Sequence, residues 1–309
     1  MTVNKKYKGV IVPVITPLTS DYQLDEGAIE RIFPHLYENG AQPFILGATG
    51  EAASLPSSIK HAYIKKAASL KRDNILMFSG ITSNCMEESV DLAKRSFDAG
   101  IDAVAATLPS YYTLTESQMM KYFESLADQI KGPLIIYNFP ATTQMSIPLE
   151  IIDELSHHEN IVATKDSERS ESRLNLSSLL WSQRADFSHF LGWTAKAAHA
   201  LLNGSDGIIP STGNLYPRLY KNMMRALSES DQEQVYHYQY HSDLISDLYQ
   251  LNRTFGESLW ALKVLMDELG FCESNVMLPL QGSTKVEEVR LKQALHDLIE
   301  KENIPINLP

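Results

Sequence analysis

Cysteine is nearly absent: Cys85 and Cys272 are the only two in 309 residues. They lie far apart and outside any paired-ligand spacing, which argues against a disulfide framework and against a zinc site. Two reduced thiols fit a cytoplasmic protein. No stretch reaches the roughly 20 apolar residues that span a bilayer. The start, Met1-Thr2-Val3-Asn4-Lys5-Lys6, lacks the apolar run and small-residue cleavage site of a signal peptide. Clusters of lysine and arginine are also missing, and the formal net charge is -11. Nucleic acid and anionic membrane are therefore not expected as partners. No Gly-x-Gly-x-x-Gly turn follows the first strand, so an open dinucleotide-binding sheet lacks its usual signature. No histidine cluster falls at the strand ends, and no metal cofactor is expected. Low-complexity tracts and short-period repeats are absent as well.

What is present is ordinary material for a globular core, with 44% apolar and 21% charged residues. The chain alternates strand and helix. Strands are expected at Val10–Thr16, Phe44–Gly47, Ile75–Gly80, Ala103–Thr107, Pro133–Asn138, Ile161–Asp166, His189–Gly192 and Asp206–Pro210. The helices between them carry start and stop signals: Asp25 to Glu38 before Gly40, Ser57 to Leu70, a helix capped by Asn84 ending before Gly100, and one capped by Thr115. Further helices are expected after Ser146 and Pro148, at Glu171–Ser182, Thr194–Leu202 and Leu215–Ser228. Eight strand–helix units in this length are the count that closes a (β/α)8 TIM barrel. Beyond Ser230 the strands cease, and Asp231–Leu251, Glu257–Leu269 and Thr284–Lys301 read as three helices. The expected organisation is a catalytic barrel over 1–229 with a C-terminal helical extension over 230–309.

The stretch Pro133–Ser167 is one βαβ unit around which the chemistry gathers. Its strands are unbroken apolar runs, Leu134-Ile135-Ile136 and Ile161-Val162-Ala163, as suits parallel strands covered on both faces. The first delivers Tyr137 and the second Lys165 to the same edge, and adjacent strands are only about 4.8 Å apart. A lysine beside a buried strand loses solvation, which lowers its pKa and makes it a nucleophile toward carbonyls. A phenol nearby can shuttle protons for it. The alternative is a strand-end lysine that snorkels to water or pairs with Asp166.

Barrel chemistry sits on the loops that follow the strands. After strand two, Gly47-Ala48-Thr49-Gly50-Glu51 forms a turn whose N–H groups can face an anion, or simply a tight βα turn with Glu51 as a helix-turn acceptor. After strand four comes Tyr111-Tyr112, where packing is the alternative to catalysis.

With Tyr137-Asn138-Phe139-Pro140, Lys165-Asp166-Ser167 and the Gly207 to Asn214 segment, these motifs stand in the order found in a known family. Over nearly its whole length the chain resembles the dihydrodipicolinate synthase and N-acetylneuraminate lyase family, Schiff-base class I aldolases on (β/α)8 barrels. The resemblance implies that Lys165 forms a Schiff base with pyruvate or a pyruvate-yielding 2-oxo acid, with no other cofactor. Tyr137 would transfer protons, and Tyr112 would reach across a subunit contact of a homotetramer, a dimer of dimers. Ala48, Thr49 and Gly50 would hold the carboxylate. Thr142, Ser167, Gly192, Ile209 and Ser211 would line the rest of the substrate site.

The departures matter as much. Position 48 is usually Thr or Ser in the synthase and lyase branches, where its hydroxyl links the two tyrosines; alanine cannot. The synthase branch carries an arginine where this chain has Thr142, and the sialic acid branch an acidic pair where it has Thr194 and Ala195. Both comparisons argue against those substrates. The run from Tyr137 to Thr143 with Lys165-Asp166-Ser167 is most similar to the 2-keto-3-deoxy sugar acid aldolase branch, and hydroxyl residues such as Thr142, Thr143, Ser167 and Ser211 suit a polyhydroxylated tail. The expected reaction is retro-aldol cleavage to pyruvate and an aldehyde. Dehydration of the same acid through the same iminium stays open, and so does a non-enzymatic 2-oxo acid sensor.

Overall fold

A computed structural model describes residues 4–306. Eight strands run in sequence order, each beside the next, and close into a barrel: β1 (Gly9–Pro13), β2 (Gln42–Ile45), β3 (Phe78–Gly80), β4 (Ala103–Ala106), β5 (Leu134–Asn138), β6 (Ile161–Asp166), β7 (Ser188–Leu191) and β8 (Gly207–Ile208). From β3 through β8 neighbouring strands pair in parallel, and β8 returns to β1, also in parallel, through Gly9 opposite Gly207. Gly207 has to be glycine, because a Cβ there would run into the β1 backbone and the Phe190 ring. The helices are α1 (Glu26–Tyr37), α2 (Ser57–Ser69), α3 (Met86–Asp98), α4 (Glu116–Gln129), α5 (Pro140–Thr143), α6 (Leu149–Leu155), α7 (Glu171–Trp181), α8 (Ala197–Leu202), α9 (Pro217–Ser228), α10 (Gln232–Gln250), α11 (Phe255–Glu268) and α12 (Lys285–Glu302). The expected (β/α)8 barrel followed by three helices is what forms. Among the described residues no helix is long and apolar enough to cross a membrane.

Local chemistry explains most of the boundaries. Asp25 caps α1 by accepting from the Ala28 N–H, and Thr115 and Gln118 make a reciprocal capping box on α4. Some expectations need correcting. Asn84 does not cap α3: Cys85 holds that position, and the Asn84 carboxamide accepts instead from the Ser110 N–H, 2.9 Å away in the loop after β4. The segment from Thr194 to Leu202 is a 3-10 turn, Thr194–Lys196, followed by α8. The turn at Pro140 is the single helical turn α5. Helix α11 begins at Phe255 rather than Glu257, because Thr254 and Glu257 close a second capping box.

Contacts divide the chain into two units: one from the start to Ile11 with Leu76–Pro210, the other Val12–Ile75 with Ser211 onward. The first has its core in β4–β7: Leu134 and Ile136 of β5 are fully buried, as are Phe123, Ile152 and Trp181 of α4, α6 and α7, while Ala163 and Phe190 are fully buried on the strand face that carries Lys165. In the second, α9 to α12 pack on one another around Tyr220, Tyr249, Leu262 and Leu295. There the segment after β8 is tied to the end of β1. Asn214 donates to the Pro13 carbonyl and accepts from the Ile15 N–H, and a Cβ on Gly213 would lie 2.5 Å from Val12 Cγ2.

Candidate functional site

In the first unit the β5·β6 register sets Tyr137 opposite Lys165 and Asn138 opposite Asp166. Side chains alternate along a strand, so the phenol and amine share one face and the amide and carboxylate share the other. The second pair forms a clamp. Asn138 Nδ2 donates to Asp166 Oδ1 at 3.1 Å and to Glu168 Oε2 at 3.0 Å, while its Oδ1 accepts from the Ile147 N–H. Arg173, in the first turn of α7, donates to Asp166 Oδ2 at 2.5 Å, and Ser146 donates to Glu168. Burial pushes the Asp166 carboxyl up, and the Arg173 guanidinium pulls against it. Asp166 therefore serves Arg173 and Asn138, and the alternative in which it pairs with Lys165 is not what forms. Ser146, expected to open a helix, instead fastens this clamp. Arg173 gave no signal in sequence beyond its place three residues after the cap Ser170.

Lys165 is 4% exposed, and its amine lies 3.9 Å from the centre of the Tyr137 ring. Two other lysines are as buried, each held by a carboxylate: Lys5 by Asp206 at 2.8 Å and Lys263 by Glu51 at 2.5 Å. For Lys165 burial dominates and lowers the amine from 10.5 to about 7. A displacement of that size is a desolvation cost of about 5 kcal/mol on the ammonium. At that value about half of the amine is uncharged at neutral pH.

Tyr137 is 5% exposed and stacks on Phe139 with ring centres 5.5 Å apart. Burial pushes its phenol up, and the nearby Ser167 side chain opposes this. It is a protonated acid at neutral pH, and its ring face lies against an amine that is about half neutral there. Ser167 is half-buried, its N–H fixed on the Asn138 carbonyl at 2.9 Å. Gly192 lies against it: a Cβ there would overlap Ser167 Oγ. Ile209 is buried, with its N–H on the Leu191 carbonyl. Thr142 is exposed on α5, its hydroxyl bonded to the Phe139 carbonyl, whereas the Thr143 hydroxyl is buried and spent on Met145. Tyr112 is not part of this buried cluster. Its ring is 74% exposed and packs edge-on against Tyr111, 4.8 Å away.

In the second unit the turn after β2 is strained and strongly held. Leu46 and Glu51, either side of Gly47–Gly50, adopt φ of 53° and 57°, a left-handed conformation that costs a non-glycine residue about 1–2 kcal/mol. The N–H groups of Gly50, Glu51 and Ala52 donate inside the turn, and Thr16 donates to the Gly50 carbonyl at 2.6 Å. Thr49 and Gly50 are buried and Ala48 half-buried. Glu51 is no helix-turn acceptor: it is fully buried against Lys263 of α11 and accepts from the Met277 N–H at 2.7 Å. Removing one partner strands the other charge, so Lys263→Met is expected to destabilise the fold by about 3–5 kcal/mol. Urea unfolding checks this, and Lys263→Met combined with Glu51→Gln should recover most of the loss. Ser211, also in this unit, shares its hydroxyl with Tyr249 at 2.7 Å.

A buried amine and phenol at the ends of β5 and β6 of a closed parallel barrel narrow the choice of family, and comparison decides it. The model of the dihydrodipicolinate synthetase family matches residues 6–298. The chain belongs to the dihydrodipicolinate synthetase family. It is a lyase of that family, as the earlier resemblance implied. Among its relatives, the putative 2-dehydro-3-deoxy-D-gluconate aldolase YagE of Escherichia coli is 26% identical over 301 residues, covering 94% of this chain and 97% of that protein. The 4-hydroxy-tetrahydrodipicolinate synthase of Alkaliphilus oremlandii is 27% identical, covering 96% and 99%. The structure of YagE in complex with pyruvate superposes with a TM-score of 0.88, and that of dihydrodipicolinate synthase from Bacteroides thetaiotaomicron with 0.89 at 27% identity; each covers 95% of this chain and 99% of the other. Among the described residues no group of three histidine, cysteine or acidic side chains could hold a metal.

Proposed function

We propose that this member of the dihydrodipicolinate synthetase family is a Schiff-base aldolase that cleaves a 2-keto-3-deoxy sugar acid to pyruvate and an aldehyde. The supporting observation is the buried Lys165 amine, drawn to about 7, over the ring of Tyr137. The neutral Nζ attacks the C2 ketone, and the resulting carbinolamine loses its hydroxyl as water with a proton from Tyr137. The iminium then draws in the electrons of the C3–C4 bond. As that bond breaks, the C4 hydroxyl gives its proton to the Tyr137 phenolate, and the aldehyde leaves. Protonation of the enamine at C3 and hydrolysis release pyruvate and restore Lys165.

In this reading the turn of Ala48, Thr49 and Gly50 receives the carboxylate; Gly50 and Glu51 use their N–H groups inside the turn, so Gly50 shapes it while the Ala48 and Thr49 backbone and the Thr49 hydroxyl supply the donors. Thr142, Ser167, Gly192, Ile209 and Ser211 line the path of the tail. Thr142, where the synthase branch has arginine, and the likeness to YagE both favour a sugar acid over aspartate semialdehyde. Exposed Tyr112 would act in a neighbouring subunit of a homotetramer, and sedimentation that finds only monomers would remove it from the mechanism.

The test is a panel of 2-keto-3-deoxy hexonates and pentonates, with pyruvate release read in a coupled assay. Release from at least one of them at a useful rate is expected. Turnover confined to pyruvate plus aspartate semialdehyde would overturn the sugar-acid reading, and binding without turnover anywhere on the panel would make the protein a sensor. The attacking amine must be deprotonated, so adduct formation with pyruvate should rise with pH, reach half its plateau at about 7 and level off about one unit higher. At pH 6 the neutral fraction, and with it the rate, should be about one-tenth of the plateau. Stopped-flow quenching into borohydride across pH 5.5–9, each value chosen about half a unit apart, measures this.

A further inference from the structure

On the Schiff-base reading above, we propose that Phe139 is a positioning residue: its ring, stacked on that of Tyr137, fixes the plane in which the phenol meets the substrate and keeps that ring drawn over the Lys165 amine. The phenylalanine side chain has no polar atom, so it acts through Tyr137 rather than on the substrate's hydroxyls.

Three features of the fold place it there. The two rings are stacked, with planes 9° apart and centres 5.5 Å apart, and the Lys165 amine lies 3.9 Å from the centre of the Tyr137 ring. The tyrosine ring therefore meets the amine and a second aromatic at once. The backbone under Phe139 is held on both sides. Its carbonyl accepts from the Thr142 and Thr143 N–H groups, at 3.0 and 3.2 Å, and from the Thr142 hydroxyl at 3.1 Å. Before it, the Asn138 side chain is gripped by Asp166, Glu168 and the Ile147 N–H, and after it Pro140 restricts the dihedrals that Phe139 can adopt. Last, Phe139 follows the final residue of β5 and is half-buried, whereas Tyr137 is buried. Its ring is thus the outer member of the stack.

The chemistry explains why a fixed ring matters. Tyr137 gives its proton to the leaving hydroxyl as the carbinolamine C–O bond breaks and water departs, and its phenolate then takes the C4 hydroxyl proton as the C3–C4 electron pair enters the enamine. Both transfers need the phenol oxygen within hydrogen-bond reach of a substrate oxygen, and small misplacements are costly. A stacked neighbour holds the ring plane, and an aliphatic one leaves it free to tilt. A tilt also uncovers the amine. Burial is what lowers Lys165, so an uncovered amine moves back up toward the ordinary lysine value. The groups around the amine do not mimic that change. Tyr137 on β5 stays protonated, and Phe190, opposite on β7, does not titrate. Asp166 and His189 stand on the other strand face, Asp166 in the clamp with Asn138, Glu168 and Arg173, and His189, lowered to about 3 and hence neutral, on Ser205.

The experiment measures the pH dependence of borohydride trapping with pyruvate, and steady-state cleavage of the best sugar acid from the panel, for wild type, Phe139→Leu, Phe139→Met and Phe139→Tyr. Leucine and methionine keep apolar volume without a stacked ring, and tyrosine keeps the ring. In the Leu and Met variants the pH of half-plateau trapping should rise by about one unit or more. Their kcat should fall about 3- to 10-fold, with KM within about twofold and the adduct still on Lys165. Phe139→Tyr should stay within about twofold of wild type in kcat and keep the wild-type half-plateau pH. A merely structural role would show as an earlier urea midpoint and less active protein, with the half-plateau pH of the folded fraction unmoved. An unmoved half-plateau pH in whichever of the Leu and Met variants folds would overturn the proposal, and so would Phe139→Tyr displaced as far as they are. If wild type gives no adduct at all, the Schiff-base reading itself fails and this inference with it. A normal wild-type adduct with unmoved variants sinks the inference alone.

Discussion

Replacing Lys165 by alanine is expected to lower turnover of any cleaved sugar acid by at least about 10⁴-fold, the scale on which loss of a covalent nucleophile is felt. The fold should survive. Lys165 lies between Tyr137 of β5 and Phe190 of β7, and the ammonium form costs about 5 kcal/mol to desolvate. Alanine leaves a cavity but abolishes that charge, and Lys165→Met fills most of the space. Both variants should therefore unfold in urea near the wild-type midpoint while being inactive. Turnover surviving in a folded Lys165→Ala variant would mean that the bond is broken without an amine. Lys5 and Lys263 are no substitutes, since each is tied to a carboxylate.

Tyr137→Phe is expected to cost about 10²–10⁴ in kcat, the usual worth of a positioned general acid. Phenylalanine keeps the ring that stacks on Phe139 and lies under the Lys165 amine, so the burial that lowers Lys165 is preserved. Only the hydroxyl is lost, and with it the proton for carbinolamine dehydration and the acceptor for the C4 hydroxyl. Rapid-quench measurement should find the first addition of pyruvate normal and the trapped iminium slow to appear. If kcat falls by less than about tenfold, another group carries the proton.

The sequence revealed the parts of this protein that leave a local mark. Strand runs such as Leu134-Ile135-Ile136 and caps such as Asp25 and Thr115 act over a few residues, so the barrel and its order could be read directly. Tyr137 and Lys165 could be paired because a right-handed crossover forces adjacent parallel strands to share an edge. What stayed hidden depends on distant partners. Glu51 is adjacent to a turn in sequence, yet its role is set by Lys263 on α11, and no periodicity links the two. Arg173 stands in a polar helix start with nothing local to mark it, and its partner Asp166 comes from β6. Hydroxyl residues were the least legible. Thr143 and Ser211 spend their hydroxyls on Met145 and Tyr249, while the Ser167 hydroxyl lies against Gly192. Composition does not distinguish a used hydroxyl from an available one. Asn84 shows the same limit: a good capping residue found a better partner in the loop of the next strand.

The most direct measurement is borohydride reduction of the wild-type protein with pyruvate, followed by proteolysis and peptide mass mapping. The account predicts a single reduced pyruvyl adduct, located on Lys165 and absent without pyruvate. Either no adduct under conditions that support turnover, or an adduct on another lysine with Lys165 unmodified, would contradict it.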